Sequence, residues 1–288
     1  MPNVEHVARA HAFRQMHHGS PALLLPNAWD AVSARLFEEA GFRAVATTSG
    51  GLAWSLGYAD GEGAPWSEVV AATRRIVRVV HVPVSADIES GFGGTASDVF
   101  NNVVEIIGAG VVGINIEDSD LRTKGTLRSL EDATERVRAA RRAAEHAGVP
   151  IVINARTDVF HVNAGPESER PAEALRRAHA YLEAGADCIF LFGHPELSVV
   201  AELAGTIKAP VNIVGRPGMP DMSELERLGI ARVSTAGGAA MATLATVRDV
   251  AQSLFETRGF DRLTSNVKRT DLQQWFASKW AGTRVPGV

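Results

Sequence analysis

Acidic side chains follow two of the short apolar runs in the middle of the chain. Asp87 and Glu89 follow one run, and Glu117 follows the next. Asp87 and Glu89 are two residues apart, so on a regular strand they share one face. Carboxylates that are packed together repel one another, and oxygen ligands suit a hard cation such as Mg²⁺ or Mn²⁺. The pattern predicts a metal site in which Asp87 is the direct ligand and Glu89 and Glu117 act through bound water.

An arginine ends the following apolar run. Arg156 is followed two residues later by Asp158. The planar guanidinium group can donate two parallel hydrogen bonds, a geometry suited to a substrate carboxylate. The residues alone leave a second interpretation open. Arg156 can pair with Asp158 or Glu117, and the acids can then form ion pairs or cap helices instead of binding a metal.

Two glycine-containing segments are candidate anion sites. Ser49, Gly50 and Gly51 follow a buried strand, and small residues there allow backbone N–H groups to approach a carboxylate. An ordinary glycine turn explains the same residues equally well. The pair Gly237 and Gly238 opens the last helix of the repeating pattern, where many barrels bind phosphate. Sugar-phosphate aldolase chemistry would rest on that pair alone. A Schiff-base aldolase is disfavoured because none of the four lysines ends a strand.

The elements that must position these residues alternate along the chain. Eight near-continuously apolar runs are typical of parallel strands covered on both faces, and helical periodicity lies between them. Ser67 and Thr95 predict helix starts. Eight strand–helix units predict an α/β fold, a (β/α)₈ TIM barrel; an open doubly wound sheet is disfavoured because no Gly-x-Gly-x-x-Gly turn follows the first strand. The predicted strands are Ala22–Pro26, Ala44–Thr48, Val82–Ala86, Val111–Ile116, Pro150–Ala155, Cys188–Phe192, Val211–Val214 and Arg232–Thr235.

The composition limits the class of protein. The 288 residues carry a net charge of −4 and a single cysteine, Cys188. Without a basic patch, nucleic acid is not expected as a partner, and a lone cysteine excludes a disulfide scaffold. The polar N-terminus is unlike a signal peptide, and no apolar run reaches the ~18 residues needed to cross a membrane. We expect a cytoplasmic protein with one barrel domain over residues 1–288, in which residues 260–288 form a helical extension.

Five segments resemble motifs of the isocitrate lyase / phosphoenolpyruvate mutase superfamily. They occur in the same order and spacing as in that superfamily, over most of the chain. The similar segments are Leu25–Ala34 with Glu39–Phe42, Thr48–Gly51, Ser85–Gly94, Ile114–Asp118 and Asn154–Asp158.

The resemblance implies a (β/α)₈ barrel with a Mg²⁺ site and a 2-oxo or 2-hydroxy carboxylate substrate. It also implies C–C or P–C bond cleavage or formation through an enolate. A homo-oligomer, a dimer of dimers, would exchange the last helix between subunits. By resemblance, Asp87 is the metal ligand and Glu117 an outer ligand, Ser49, Gly50 and Gly51 hold the substrate carboxylate and oxyanion, Arg156 binds the substrate, and Asp60 is an outer metal or substrate contact.

The loop after Glu117 and Asp118 departs from the lyase pattern. Isocitrate and methylisocitrate lyases have Lys-Lys/Arg-Cys-Gly-His there, and the cysteine protonates the product. Residues 119–126 contain no cysteine or histidine, and only Lys124 and its neighbours echo the longer mutase loop. Phe192 lies near the place of a lyase glutamate, and Ser85 replaces the first aspartate of the usual Asp-x-Asp segment. Isocitrate or methylisocitrate cleavage by the usual route is therefore not expected.

These observations predict a Mg²⁺-dependent lyase that cleaves or forms a C–C bond in a small 2-oxo or 2-hydroxy carboxylate. Oxaloacetate decarboxylase-like and substituted-malate lyase-like reactions fit best, through a metal-stabilised enolate. Asp60, Glu117 or a metal-bound water would handle the proton, and Arg156 would orient the distal carboxylate. Two alternatives stay open: P–C chemistry of the phosphonopyruvate hydrolase or phosphoenolpyruvate mutase type, and non-catalytic binding of oxo acids.

Overall fold

The computed structural model of the chain describes residues 3–121, 123, 125–193 and 195–277. The described residues divide into two compact units, with the boundary between Gly237 and Gly238. The larger unit contains one sheet of parallel strands. Its strands are β1 (Leu23–Leu25), β2 (Asn27–Ala28), β3 (Val45–Thr47), β4 (Val84–Asp87), β5 (Gly113–Glu117), β6 (Val152–Thr157), β7 (Cys188–Leu191), β8 (Val211–Val214) and β9 (Arg232–Ser234).

The sheet curls into a nearly closed barrel. Its order is β1-β9-β8-β7-β6-β5-β4-β3-β2. Strands β1 and β2 are two halves of one barrel strand, separated by Pro26, which has no N–H group to donate to a neighbouring strand. Because β1 pairs with β9 and β2 pairs with β3, this first barrel strand joins the two ends of the sheet. The predicted (β/α)₈ barrel is confirmed, with small shifts at the strand ends.

Helices lie between successive strands. Thr95 and Asp98 form the predicted capping box, in which each side chain bonds to the backbone of the other residue. The helix Trp66–Val79 begins directly after Pro65. The start predicted at Ser67 is therefore wrong, and Ser67 lies in the first turn of this helix. The helices of the larger unit are α1 (Val4–Gln15), α2 (Ala31–Glu39), α3 (Ser49–Leu56), α4 (Trp66–Val79), α5 (Ala96–Gly108), α6 (Leu130–Ala147), α7 (Arg170–Glu183), α8 (Leu197–Thr206) and α9 (Met222–Arg227).

The N-terminal helix α1 closes the end of the barrel at which the strands begin. Phe13 of α1 is fully buried and lies against Gly113, the first residue of β5. A Cβ atom at position 113 would stand 2.6 Å from Cε1 of Phe13, so only glycine leaves room for the ring. With this end filled, the opposite end, where the strands finish, is the one available for a ligand.

The interior of the barrel is unusually polar. Barrels of this kind commonly fill the interior with branched apolar side chains. Here Asn154 Nδ2 donates to Asn115 Oδ1 over 2.8 Å, and Arg232 Nη2 donates to the same oxygen over 3.1 Å. All three side chains are buried. Each of them lies two residues before a residue at the rim of the same strand, so the two side chains point to the same face. The pairs are Asn115 and Glu117 on β5, Asn154 and Arg156 on β6, and Arg232 and Ser234 on β9, and the first of each pair lies one layer lower inside the barrel.

The buried ring of His17 is held neutral beneath this layer. Its Nδ1 lies 2.9 Å from the carbonyl oxygen of Phe13, and its Nε2 lies 3.4 Å from Arg232 Nη1. A carbonyl only accepts and a guanidinium only donates, so the proton sits on Nδ1 and Nε2 accepts. Burial, and then the charge of Arg232, lower the pKa of His17 to about 3.

We predict that His17 makes the protein sensitive to acid. The unfolded chain binds a proton at His17 below pH ~6.5, whereas the folded protein does so only near pH 3. Stability is therefore lost as the pH falls through this window, by up to about 5 kcal/mol. Urea unfolding of His17→Gln between pH 7 and 4 should show a smaller loss than the wild type. The matched control is His81→Gln, because the side chain of His81 is exposed. An equal dependence of unfolding free energy on pH in the wild type and both variants would contradict the prediction.

The smaller unit contains the helices α10 (Gly238–Thr257) and α11 (Arg269–Ala277). Helix α11 lies within the C-terminal segment that was expected to be helical. The boundary at residue 260 and the exchange of this segment between subunits stay predictions. Among the described residues, no helix combines the length and the hydropathy needed to cross a bilayer.

Candidate active site

A cavity of about 260 Å³ lies at the end of the barrel where the strands finish. Its walls carry four acidic side chains, from Asp60, Asp87, Glu89 and Glu117, together with Arg156. The structure thus brings the predicted acids and the predicted arginine to one place. They meet because neighbouring parallel strands end at the same rim, although they are far apart in sequence.

The acids lie where β4 and β5 end. Asp87 ends β4, and its N–H donates to Thr47 Oγ1 over 2.8 Å. Glu89 follows with a φ of 49°, a left-handed conformation that turns the chain back over the cavity. Its own N–H lies 3.3 Å from Asp87 Oδ1. Glu117 ends β5, and its N–H donates to the Glu89 carbonyl over 2.8 Å. These backbone bonds fix the two strand ends relative to each other.

The electrostatic environment disfavours the ionised form of three of these acids. Burial, and then the nearby charges of Asp60 and Asp87, raise the pKa of Glu89 to about 8. Burial also raises the pKa of Asp87, although Arg156 and backbone N–H groups partly oppose this effect. Burial raises the pKa of Glu117 well above its ordinary value, again against the effect of Arg156. A bound cation would relieve the repulsion between like charges that are held this close together.

The geometry limits how such a cation can be held. No three acidic, histidine or cysteine side chains of the described residues lie close enough to bind one ion directly. Neither Asp87 nor Glu89 has an ion-pair partner within the part of the chain that the structure describes. A hard ion such as Mg²⁺ commonly keeps several waters and takes one or two carboxylates. The donor set therefore fits a site with Asp87 as direct ligand and the glutamates as outer ligands.

Arg156 forms both of the ion pairs that the sequence left open. Its Nη1 forms an ion pair with Glu117 Oε2 at 2.7 Å, while Nε and Nη2 donate to the two oxygens of Asp158 over 2.6 and 2.9 Å. The guanidinium carbon lies 3.5 Å above the centre of the Phe192 ring. Burial by itself lowers the pKa of Arg156, but Asp158 and Glu117 raise it overall. Nη1 and Nη2 therefore retain hydrogens that can be donated to a ligand.

The segment predicted to bind a carboxylate is the first turn of α3. Ser49 and Gly50 line the cavity, whereas Gly51 is buried in the next position of the helix. Thr48, at the N-cap, makes no side-chain hydrogen bond to the first turn, so the N–H groups of this turn are not capped by Thr48. The N–H of Ser49 faces the Asp87 carboxylate and lowers its pKa. A Cβ at position 50 would stand 3.0 Å from Asp60 Oδ2, so glycine allows the close approach of Asp60.

Glu62 fastens the loop that carries Asp60, and sequence reasoning missed it. Its N–H donates to Glu89 Oε2 over 2.5 Å. Its own carboxylate accepts hydrogen bonds from Ser90 Oγ at 2.7 Å and from the N–H of Phe92 at 2.8 Å. Glu62 has a left-handed φ of 57°, and in this conformation its N–H contacts Glu89 while its side chain contacts Ser90 and Phe92. An acidic residue in a glycine-rich loop was the available signal, but nothing local identifies its partners.

Phe190, Phe192 and His161 form an aromatic cluster on another part of the cavity wall. The ring centres of Phe190 and Phe192 are 5.4 Å apart, and those of His161 and Phe192 are 5.0 Å apart. All three residues line the cavity. Phe192, near the place where the lyases have a glutamate, is therefore part of an aromatic surface of the cavity. Lys124, in the loop after β5, lies outside the described residues.

Asp118, next to Glu117, belongs to a hydrogen-bond network behind the cavity wall. Its carboxylate accepts hydrogen bonds from the Tyr181 hydroxyl at 2.7 Å, from Arg177 Nη1 at 3.1 Å and from the N–H of Asp158 at 2.7 Å. It does not line the cavity. Asp118 therefore holds Asp158 in place from behind, and Asp158 in turn orients Arg156.

The fold and the site define a class of protein: a (β/α)₈ barrel enzyme with an acidic active site at the ends of its strands. The family model described as phosphoenolpyruvate phosphomutase matches residues 13–255. The chain belongs to this family, within the superfamily that also contains isocitrate lyase, and the resemblance seen in the sequence is confirmed.

Three relatives illustrate the range of the family. Oxaloacetate decarboxylase 1 of Pseudomonas putida (strain W619) is 30% identical over 98% of this chain and 97% of its own. The oxaloacetate decarboxylase of Pseudomonas fluorescens (strain SBW25) is 32% identical over 94% of this chain and 92% of its own. The crystal structure of 2,3-dimethylmalate lyase is 25% identical, with a TM-score of 0.83 over 95% of this chain and 96% of its own.

Proposed function

We propose that this protein is a divalent-metal-dependent lyase that acts on a small 2-oxo or 2-hydroxy carboxylate and cleaves or forms a C–C bond through an enolate. The observation that carries the proposal is the group of three acids, Asp87 and the buried Glu89 and Glu117, that line one cavity and have raised pKa values. Such a group costs stability unless a cation and an anionic ligand complete it. Oxaloacetate decarboxylases among the relatives support a 2-oxo dicarboxylate as substrate.

Asp87 would bind Mg²⁺ or Mn²⁺ directly, with Glu89 and Glu117 as outer ligands. When bound, the ion would act as a Lewis acid that stabilises negative charge on the oxygen next to the breaking bond. The first turn of α3, at Ser49, Gly50 and Gly51, would hold the substrate carboxylate and the developing oxyanion through backbone N–H groups.

Arg156 and the acids would complete the reaction. The remaining hydrogens of the Arg156 guanidinium would bind and orient the distal carboxylate of the substrate. Asp60 or Glu117 would transfer the proton, and burial, which raises the pKa of Glu117, favours the protonated form of that side chain. The aromatic cluster excludes water from this side and favours a small or apolar substituent over a further carboxylate.

The direct test is turnover on a panel of oxaloacetate and alkyl-substituted malates, corrected for the enzyme-free reaction. We expect oxo-acid release that requires Mg²⁺ or Mn²⁺, stops with EDTA and returns when the metal is restored. A turnover rate that is unchanged by EDTA would rule out the metal-dependent mechanism. Tight oxalate or pyruvate binding with no turnover on any substrate would instead support a non-catalytic binder of oxo acids.

P–C bond chemistry is the second candidate, because the matching family model is that of a phosphomutase. A phosphonopyruvate hydrolase or mutase would use the same acidic site and the same carboxylate-binding turn. Phosphorus NMR of the protein mixed with phosphonopyruvate separates the two candidates. Conversion to phosphate or to phosphoenolpyruvate would replace the C–C proposal, and an unchanged spectrum together with turnover of a malate would confirm it.

We also propose that the protein works in the cytoplasm as a homo-oligomer, a dimer of dimers. The lone buried Cys188 fits a reducing compartment. Light scattering of the purified protein should give four times the 30.6 kDa mass of one chain. A monomer at all concentrations would contradict this assembly.

A further inference from the structure

Arg232 differs from the other deeply buried arginines of the described residues. Its side chain is completely inaccessible to solvent, at the level of the barrel interior just below the cavity. Its contacts are the Asn115 amide oxygen and the His17 ring, and its Nε has no partner. In contrast, Arg128, Arg136, Arg156 and Arg177 each contact a carboxylate.

A buried guanidinium without a carboxylate is costly. The ion loses its hydration and gains no opposite charge in direct contact, so an apolar side chain of similar size would be expected to stabilise the fold. Burial lowers the pKa of Arg232 to about 10, and Cys188 and then Asp87 only partly oppose this effect, so the group still carries its charge at neutral pH. Its energetic cost points to a role other than stability.

The contact with Asn115 indicates what that role is. Asn115 Oδ1 accepts two hydrogen bonds, from Arg232 Nη2 at 3.1 Å and from Asn154 Nδ2 at 2.8 Å. The opposite orientation of the amide would place its NH₂ group against two donors, so the orientation is fixed. Asn115 also lines the cavity and pairs in register with Asp87 of β4. Its Nδ2 has no partner among the described residues and remains a donor for a ligand.

We infer that Arg232 is a positioning residue that locks the Asn115 amide with its N–H groups toward the cavity, where Asn115 binds an oxygen of the carboxylate ligand beside Asp87. The nature of that ligand rests on the proposed function. Arg232 also places a positive charge below a site that must accept negative charge. The field of that charge adds to the hydrogen bond of Asn115, since the surroundings are buried and screen it little.

The experiment compares binding with stability in Arg232→Met and Asn115→Leu. Oxalate binding in the presence of Mg²⁺ is measured by calorimetry, and stability by urea unfolding in EDTA. We expect Arg232→Met to weaken oxalate binding about 10- to 100-fold, the range for a hydrogen bond to a charged group. Its urea midpoint should be unchanged or higher than that of the wild type. A purely structural role would lower both quantities together.

A double-mutant cycle tests whether Arg232 acts through Asn115. The variant with both substitutions should bind oxalate about as weakly as the single variant with the lower affinity, because both substitutions remove the hydrogen bond from Asn115 to oxalate. Additive losses would overturn the inference. Arg141→Met is the matched control, since Arg141 contacts Asp187 and the Gly185 carbonyl away from the cavity. It should lower the urea midpoint and leave oxalate binding unchanged.

The outcomes separate this inference from the proposed function. A wild type that binds oxalate but turns over no substrate removes the proposed lyase activity and leaves the binding comparison intact. A wild type that binds no oxalate with Mg²⁺ overturns both. Two results with Arg232→Met overturn the inference alone. Wild-type affinity for oxalate would mean that the guanidinium does not contribute to ligand binding. Failure of the variant to fold would mean that the guanidinium is needed for folding.

Discussion

Replacing Asp87 with asparagine should reduce turnover at least about 1,000-fold while the metal-free protein becomes no less stable. Asp87 is the carboxylate expected to contact the metal directly, and loss of the several kcal/mol of charge stabilisation that a metal supplies corresponds to this factor. The amide keeps the size of the side chain. It removes one of the buried like charges that raise the pKa of Glu89.

The two effects of Asp87→Asn have opposite signs, which makes the prediction specific. Activity is measured with saturating Mg²⁺, and stability by thermal unfolding in EDTA. Glu135→Gln is the control, since Glu135 makes only an exposed ion pair with Arg138 and should change neither quantity. Wild-type turnover in Asp87→Asn would contradict the metal site. A large loss of stability would instead show that Asp87 is a structural residue.

Replacing Arg156 with methionine should destabilise the protein by about 3–5 kcal/mol and abolish activity. The substitution leaves Glu117 and the fully buried Asp158 without their shared cation, and an unpaired buried charge carries a penalty of this size. The contact between the guanidinium and Phe192 is lost as well. Urea unfolding at pH 7 measures the change.

The pH dependence of the Arg156→Met defect distinguishes this cause from simple loss of packing. Arg156 lowers the pKa of Glu117 against the larger effect of burial, so its removal raises that pKa further. Glu117 already takes up a proton more readily in the folded wild type than in the unfolded chain, and it does so still more readily in the folded variant. The defect of the variant relative to the wild type is therefore smaller at low pH and grows as the pH rises through the pKa of Glu117 in the folded wild type. A defect that is constant with pH would contradict the electrostatic explanation.

A surface arginine provides the matched control for Arg156→Met. Arg176 also makes two hydrogen bonds to a single carboxylate, that of Glu173, but its side chain is 55% exposed. Arg176→Met should cost less than about 1 kcal/mol, because solvent screens an exposed pair. Equal losses of stability in the two variants would mean that burial does not decide the strength of these ion pairs.

The sequence by itself determined the barrel and the rim of the site. Each strand is a local apolar run, and an apolar run that both faces bury is recognisable without knowledge of its neighbours. Asp87, Glu117 and Arg156 could be predicted because they directly follow such runs, and the ends of parallel strands meet at one rim. The motif resemblance added Asp60, whose loop lies far from any strand end in sequence.

Only the tertiary structure decided which partners those side chains have. In a strand that is buried on both faces, the hydrophobic pattern does not show which residues point into the barrel, so Asn115 and Arg232 gave no local signal. The Glu62 contact with Glu89 and Ser90 depends on two loops that meet only when the barrel closes. The sequence specified which polar groups are present, and the closure of the sheet determined which of them are paired and which remain available for a ligand.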